Sequence, residues 1–265
     1  MTWPLNDIYL ALRAQMPGIK VEILQTIDST NSELMRRAKN GLSDPLLLIA
    51  EEQTAGKGRL GRTWYARPGD ALTFSLGLEL SAEDWSGFSL AIGLGILNGL
   101  DPQRSYPMGL KWPNDIWLGP AHTARKLGGI LIESTISSQH NPGAGRARYC
   151  VIGVGINLVA PEGLDLSRAA AGMCELDPTS TPASVLITVG PQIIKNILRF
   201  EAQGFNSFQN EFADCDLLMG QQVSMSNGLT GRACGVNSSG EFLIQTQSGV
   251  VPVTSDEVSL VGIDF

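Results

Sequence analysis

Histidine is nearly absent: His122 and His140 are the only two in 265 residues, and both sit in loop-like stretches of Gly, Pro and Ser. That scarcity argues against a histidine-centred triad or an imidazole zinc site. Cysteine is sparse as well. Cys150, Cys174, Cys215 and Cys234 are scattered without a C-x-x-C pair, which fits reduced, buried thiols better than a disulfide framework. Positive charge is in deficit, with a formal net charge of -7 and a pI near 4.9, so no broad cationic field is available for nucleic acid or a membrane surface. There is no uncharged apolar run of about 18 residues to span a bilayer, and no basic start followed by an apolar stretch to act as a signal peptide. Neither G-x-S-x-G nor G-K-[ST] occurs. The expected setting is the cytoplasm, without nucleic acid or membrane as partner.

What remains is a core-forming chain. Its hydrophobic fraction of 43% against 17% charged residues suits one large domain, or a main domain and a small one. Residues 5–15 are amphipathic and helical, and VEILQTI follows as a strand. DSTNSELMRRAK is expected as a helix, with Thr30 as N-cap and Glu33 completing a capping box. LLLIA and ALTFSLGLEL read as strands and SLAIGLGILNGL as a buried helix. LKWPNDIWL, KLGGILIES and RYCVIGVGINL are three strand-like pieces, the first bent at Pro113. A hairpin loop is expected over residues 137–146 and irregular chain over 161–181. Thr181-Pro182 resembles an N-cap and first helical residue, opening helical sequence to about Phe212 with a break at Gly190-Pro191. After Leu217, short alternating runs divided by Asn-Gly and Ser-Gly turns predict a β-barrel or sandwich of four or five strands. The expected domains are residues 1–215 and 216–265.

The most unusual stretch is AEEQTAGKGRLGRTW, with three glycines and three cations over residues 56–62. Gly56, Gly58 and Gly61 satisfy G-x-G-x-x-G. Yet EEQTA separates them from the preceding strand and Pro68-Gly69 follows, so the dinucleotide fingerprint fits poorly. Two readings stay open from these residues alone: a solvated basic turn, or a phosphate cradle in which glycines permit close approach and cations aim at one point. With so little other chemistry on offer, any reaction must lean on cations, backbone donors and carboxylates.

Five segments occur in order: DSTN (residues 28–31), EEQTAGKGRLGRTW, KWPNDIWL, KLGGILIE and VIGVGINL. Together they resemble the catalytic domain of biotin–protein ligases, and the β-rich tail resembles that family's SH3-like C-terminal domain. The resemblance implies an α+β fold: a mixed-sheet catalytic domain like the class II aminoacyl-tRNA synthetase core, followed by a small SH3-like β-barrel. It also implies an ATP-dependent ligase. Biotin becomes biotinyl-5′-AMP, with Mg²⁺ accompanying the ATP, and a lysine of a biotin carboxyl carrier protein then accepts the biotinyl group.

The resemblance carries residue roles with it. Ser29, Thr30 and Asn31 match contacts to the ureido end of biotin, and Gln53 matches a biotin-contacting glutamine. Lys57, Gly58, Arg59 and Arg62 belong to a loop that folds over the adenylate, with Lys57 standing where arginine is common. Lys111 and Lys126 match ligand contacts on the carboxylate and adenylate side. Asp115 is the candidate to take a proton from the acceptor amine or to orient it. Gly128 and Gly129 leave room for the bicyclic ring, against the plainer reading of a tight strand crossing. Asn114 and Asn157 fall on the nucleotide side, and the role of Trp64 stays open. Arg59, Lys111, Lys126 and Asp115 are therefore the expected catalytic set, with no protein-held metal. Some family members repress transcription through an N-terminal helix-turn-helix domain; about twenty residues precede the first strand here, so the monofunctional type is expected. Lipoate or octanoate enzymes of the same superfamily usually carry an Arg-Arg and triple-glycine signature that is missing. A non-catalytic biotin-binding regulator is disfavoured by Arg59, Lys111 and Lys126. A homodimer is left open.

Overall fold

Alternation along ALTFSLGLEL sets the architecture. Leu72, Phe74, Leu76, Leu78 and Leu80 enter the main hydrophobic core, while Thr73, Ser75 and Gly77 point to the other face of the sheet. The computed structural model describes residues 2–65, 67–136, 147–161 and 169–261; the expected loop over residues 137–146 lies outside them. The elements are α1 (Leu5–Arg13), β1 (Lys20–Ile27), α2 (Thr30–Lys39), β2 (Leu46–Gln53), β3 (Ala71–Leu80), α3 (Phe88–Leu100), β4 (Met108–Lys111), β5 (Asp115–Leu118), β6 (Arg125–Ile136), β7 (Arg148–Asn157), α4 (Pro182–Gln203), α5 (Gln209–Ala213) and β8–β12. The last five strands are Gln222–Met225, Thr230–Val236, Phe242–Thr246, Gly249–Val253 and Val258–Leu260. β1 to β7 form a mixed sheet of order β1-β2-β3-β7-β6-β5-β4, in which only β1 and β2 run parallel.

One face of that sheet is covered by α1, α3 and α4. Gly95 and Gly99 of α3 let α4 approach: a Cβ at Gly99 would stand 2.6 Å from the Val189 Cα. On the other face α2 buries Leu34 and Ala38 against Leu46, Leu48, Tyr149 and Val151. This cover stops at the start of α2. Beyond it β7 shows Gly153, Gly155 and Asn157 to the same side, and a cavity opens there.

Several local expectations change. The N-cap of α2 is Ser29, whose side chain accepts from the Ser32 N–H; Thr30 is already helical. KWPND is the turn of a hairpin between β4 and β5, with a cis Trp112–Pro113 bond, because Pro113 cannot continue a hydrogen-bonded strand. Gly190-Pro191 does not break α4, which runs 22 residues. Gly190 instead admits α1, since a Cβ there would meet Leu12 at 2.6 Å, and packing on both sides holds the helix through its missing N–H donor. Helical sequence pauses at Gly204, whose φ of +65° suits glycine, before a 3-10 turn and α5. The C-terminal strands form an open antiparallel sheet, β11-β10-β9-β8-β12, not the closed barrel expected. β12 has three residues and β11 carries Pro252 at the outer edge, so the two ends offer little to pair.

That sheet packs on the KWPND turn. Trp112 stacks on Phe242 with centroids 5.2 Å apart and donates from Nε1 to the Gly240 carbonyl at 3.2 Å. Asp216 lies at the junction of the two sheets: its Oδ1 accepts from the Leu218 N–H at 2.9 Å, and its buried Oδ2 has no partner among the described residues. Burial pushes this carboxyl up from 3.8 to about 6. A group held above its unfolded value favours folding while protonated, and that contribution disappears as pH rises from about 4 through 6. Asp216→Asn is therefore expected to stabilise the protein at pH 7.5 by about 1–3 kcal/mol and hardly at pH 4, read as denaturant midpoints at the two pH values.

Candidate active site

The cavity floor is a row of residues in register across the sheet. Ala50 pairs with Thr73, Thr73 with Gly155, Gly155 with Gly129, Gly129 with Asp115 and Asp115 with Lys111. Directly opposed residues share a face, so the two adjacent glycines lower the floor between Thr73 on one bank and Asp115 and Lys111 on the other, and the Trp64 indole packs over Gly155 and the Lys126 ammonium over Gly129. A bulge re-aims Lys126 into it. Asp115 pairs with Gly129 but Trp117 with Lys126, three residues away instead of two, which puts Lys126 and Asp115 on one face. Their Nζ and Oδ1 are 2.7 Å apart, with the Asp115 side chain 8% exposed.

One row along, polar groups crowd the start of α2. The Thr30 N–H donates to Gln53 Oε1 at 2.7 Å. The Ser75 hydroxyl lies 2.7 Å from Thr30 Oγ1 and 2.6 Å from Asn31 Oδ1. Asn31 Nδ2 donates to Glu133 Oε2 at 2.9 Å and to the Leu131 carbonyl at 3.2 Å. Gly153 makes the room: a Cβ there would stand 2.2 Å from Asn31 Oδ1. Ser29, Thr30, Asn31 and Ser75 are buried, so this end is polar yet shielded by the protein.

The glycine-cation loop arches over the trough as a small closed turn. Gly58 donates to the Arg62 carbonyl at 2.7 Å and Trp64 to the Gly56 carbonyl at 2.9 Å. Gly56 is required where it stands, since a Cβ would meet the Trp64 carbonyl at 2.3 Å. Arg59 donates to Asn114 Oδ1 at 3.4 Å, and Asn114 donates to the Ile130 carbonyl at 2.7 Å. Arg62 pairs with Glu257 of the C-terminal sheet. Lys111, 3% exposed, donates to the Val258 carbonyl at 2.6 Å, so the small sheet closes one wall of the site.

Every residue expected at the site lines this cavity of about 180 Å³ except Gly128. Gly128 instead marks a close strand crossing, where a Cβ would stand 2.7 Å from the Gly155 carbonyl. Asn157 holds the rim by donating to the Ala171 carbonyl at 3.1 Å. Sequence reasoning missed Thr73, Ser75 and Glu257. The first two had a signal, as hydroxyls alternating with the core leucines along a strand that is buried at all but one position. Glu257 had none, because only the docking of the two sheets brings it to Arg62.

A trough with an uncharged polar end, a lysine-carboxylate end and a cationic flap suits a long ligand carrying an anionic group. Residues 23–157 match the family model described as the biotin/lipoate A/B protein ligase family. The chain belongs to that family. It is 35% identical to the biotin–[acetyl-CoA-carboxylase] ligase of Mycobacterium tuberculosis over a stretch covering 58% of each chain. It is 30% identical to the enzyme of the same name from Paracoccus denitrificans, over 89% of this chain and 98% of that one. Among solved structures, the biotin protein ligase of Aquifex aeolicus in complex with biotin and ATP superposes with a TM-score of 0.74 at 27% identity, covering 91% of this chain and 98% of that one.

Proposed function

We propose that this chain is a biotin–[acetyl-CoA-carboxylase] ligase. The observation that carries the reading is the two-glycine trough, polar at the Asn31–Ser75 end and cationic at the Lys111–Lys126 end. The names of its relatives, and the biotin and ATP bound in the Aquifex aeolicus enzyme, support it.

In the first step the biotin carboxylate attacks the α-phosphate, and pyrophosphate leaves with the bonding electrons. Two anions must meet, so fixed cations that strengthen their hold as charge develops lower the barrier. Lys111, Lys126 and Arg59 take that role, with Lys57, Gly58 and Arg62 holding the flap over the adenylate and Asn114 and Asn157 bounding the nucleotide side. The flap also keeps water from a mixed anhydride that hydrolyses readily. In the second step an acceptor lysine of a biotin carboxyl carrier protein attacks the acyl carbon, and AMP leaves. Asp115 takes the proton of that ammonium or orients the amine. In this reading Mg²⁺ accompanies the nucleotide substrate as its phosphate counter-ion.

The same family contains lipoate enzymes. The buried amide and hydroxyl groups of Asn31, Gln53, Thr30 and Ser75 favour a ureido head over a dithiolane, which has nothing to offer them. Calorimetric titration is expected to show biotin binding without lipoate binding, and biotin, ATP and Mg²⁺ together should release pyrophosphate. Lipoate binding alone would reverse the assignment. Biotin binding without pyrophosphate release would indicate a non-catalytic binder.

A further inference from the structure

Not every polar group on the trough floor finds a partner. Thr73 Oγ1 and Trp64 Nε1 are sealed from solvent and have no hydrogen-bond partner among the described residues. Thr73 is 4% exposed, and both residues line the cavity. A buried, unpaired hydroxyl costs stability, and valine would fill the same volume without that cost. Both residues lie beside Gly155. Thr73 opposes Gly155 in the β3–β7 register, and the Trp64 indole occupies the space that a Gly155 side chain would take, its Nε1 2.7 Å from the Cβ position.

We propose that the Thr73 hydroxyl is a specificity-determining hydrogen-bond donor to the ring of bound biotin, flanked by the Trp64 indole. This rests on the biotin reading above. Position selects the atom. Ser75, in the polar network, is two residues along β3 from Thr73, about 6.8 Å away. Lys126 stands on β6 and Lys111 on β4, two and four strands from β3. With the ureido group at the Ser75 network and the carboxylate at the lysines, Thr73 meets the fused ring between them. The acceptor on that ring opposite the ureido carbonyl is the thioether sulfur, and a hydroxyl can donate to it.

The test compares biotin with desthiobiotin, which keeps the ureido group and the acid tail but lacks the ring sulfur. For Thr73→Val, calorimetry is expected to show a biotin Kd raised about threefold to tenfold and an unchanged desthiobiotin Kd. Without either compound, the Tm should rise by about 2–4 °C, because an unpaired hydroxyl has been removed. Thr73→Ser should keep the parental ratio of the two affinities. Equal weakening toward both compounds, no weakening, or a lowered Tm overturns the assignment; the last would reveal a structural hydroxyl. If the parent itself fails to bind biotin, the proposed function falls too. A parent that binds biotin beside an unaffected Thr73→Val variant removes only the Thr73 role.

Discussion

Replacing Lys111 with alanine is expected to slow adenylate formation by about 10²–10³-fold, the loss typical of removing one donor aimed at developing charge. Lys111 is almost wholly buried, held to the Val258 carbonyl, and its ammonium lies 5.4 Å from the Trp117 ring centroid. In that low-dielectric setting its attraction to charge developing at phosphorus is stronger than it would be in water. Single-turnover pyrophosphate release checks the prediction. Biotin binding should fall less than the rate, because the cation matters most once charge accumulates at phosphorus. A parental rate in the variant would remove Lys111 from the catalytic set. Arg59→Ala is different in kind. Arg59 touches the site through Asn114 at 3.4 Å and sits on the flap, so the variant should let adenylate escape to water.

The second large effect is at Gly153. Alanine there would place a Cβ 2.2 Å from Asn31 Oδ1 and 2.9 Å from its Cγ. Asn31 must then leave Ser75, Glu133 and Leu131 together, which unpairs several buried groups at about 1–3 kcal/mol each. The expected result is a biotin Kd raised by about 100-fold or more, from roughly two such losses, with little change in ATP affinity. A double-mutant cycle checks the cause. In an Asn31→Ala background the obstructing side chain is gone, so Gly153→Ala should cost almost no further stability. Full additivity of the two changes would show that Gly153 matters for some other reason.

Much of the fold was legible in local sequence. β3 runs over the expected residues 71–80, α3 begins one residue before the expected start, and Thr181 caps α4 with Pro182 as its first residue, as expected. These elements follow from alternation, apolar runs and capping chemistry, all of which act within a few residues. The misreadings occurred where distant contacts outweighed local preference. Pro191 stays helical because α1 and α3 pack on α4 around it, and the C-terminal sheet stays open because one end strand is only three residues long and the other carries a proline. The same division holds at the site. The glycine-cation loop announced itself by composition, whereas Ser75 looked like one more residue of a buried strand.

The sequence by itself determined the inventory: which cations, amides and glycines exist, their order along the chain, and the secondary structure that carries them. Only the tertiary structure decided which of them share a face. Register across β3, β7, β6, β5 and β4 aligned Thr73, Gly155, Gly129, Asp115 and Lys111, and one bulge turned Lys126 into line with Asp115. Docking of the small sheet then brought Glu257 to Arg62 and Val258 to Lys111. The physical reason is range. Helix and strand signals come from neighbours a few residues apart, while strand register and sheet docking come from burial and hydrogen bonding between segments far apart in the chain.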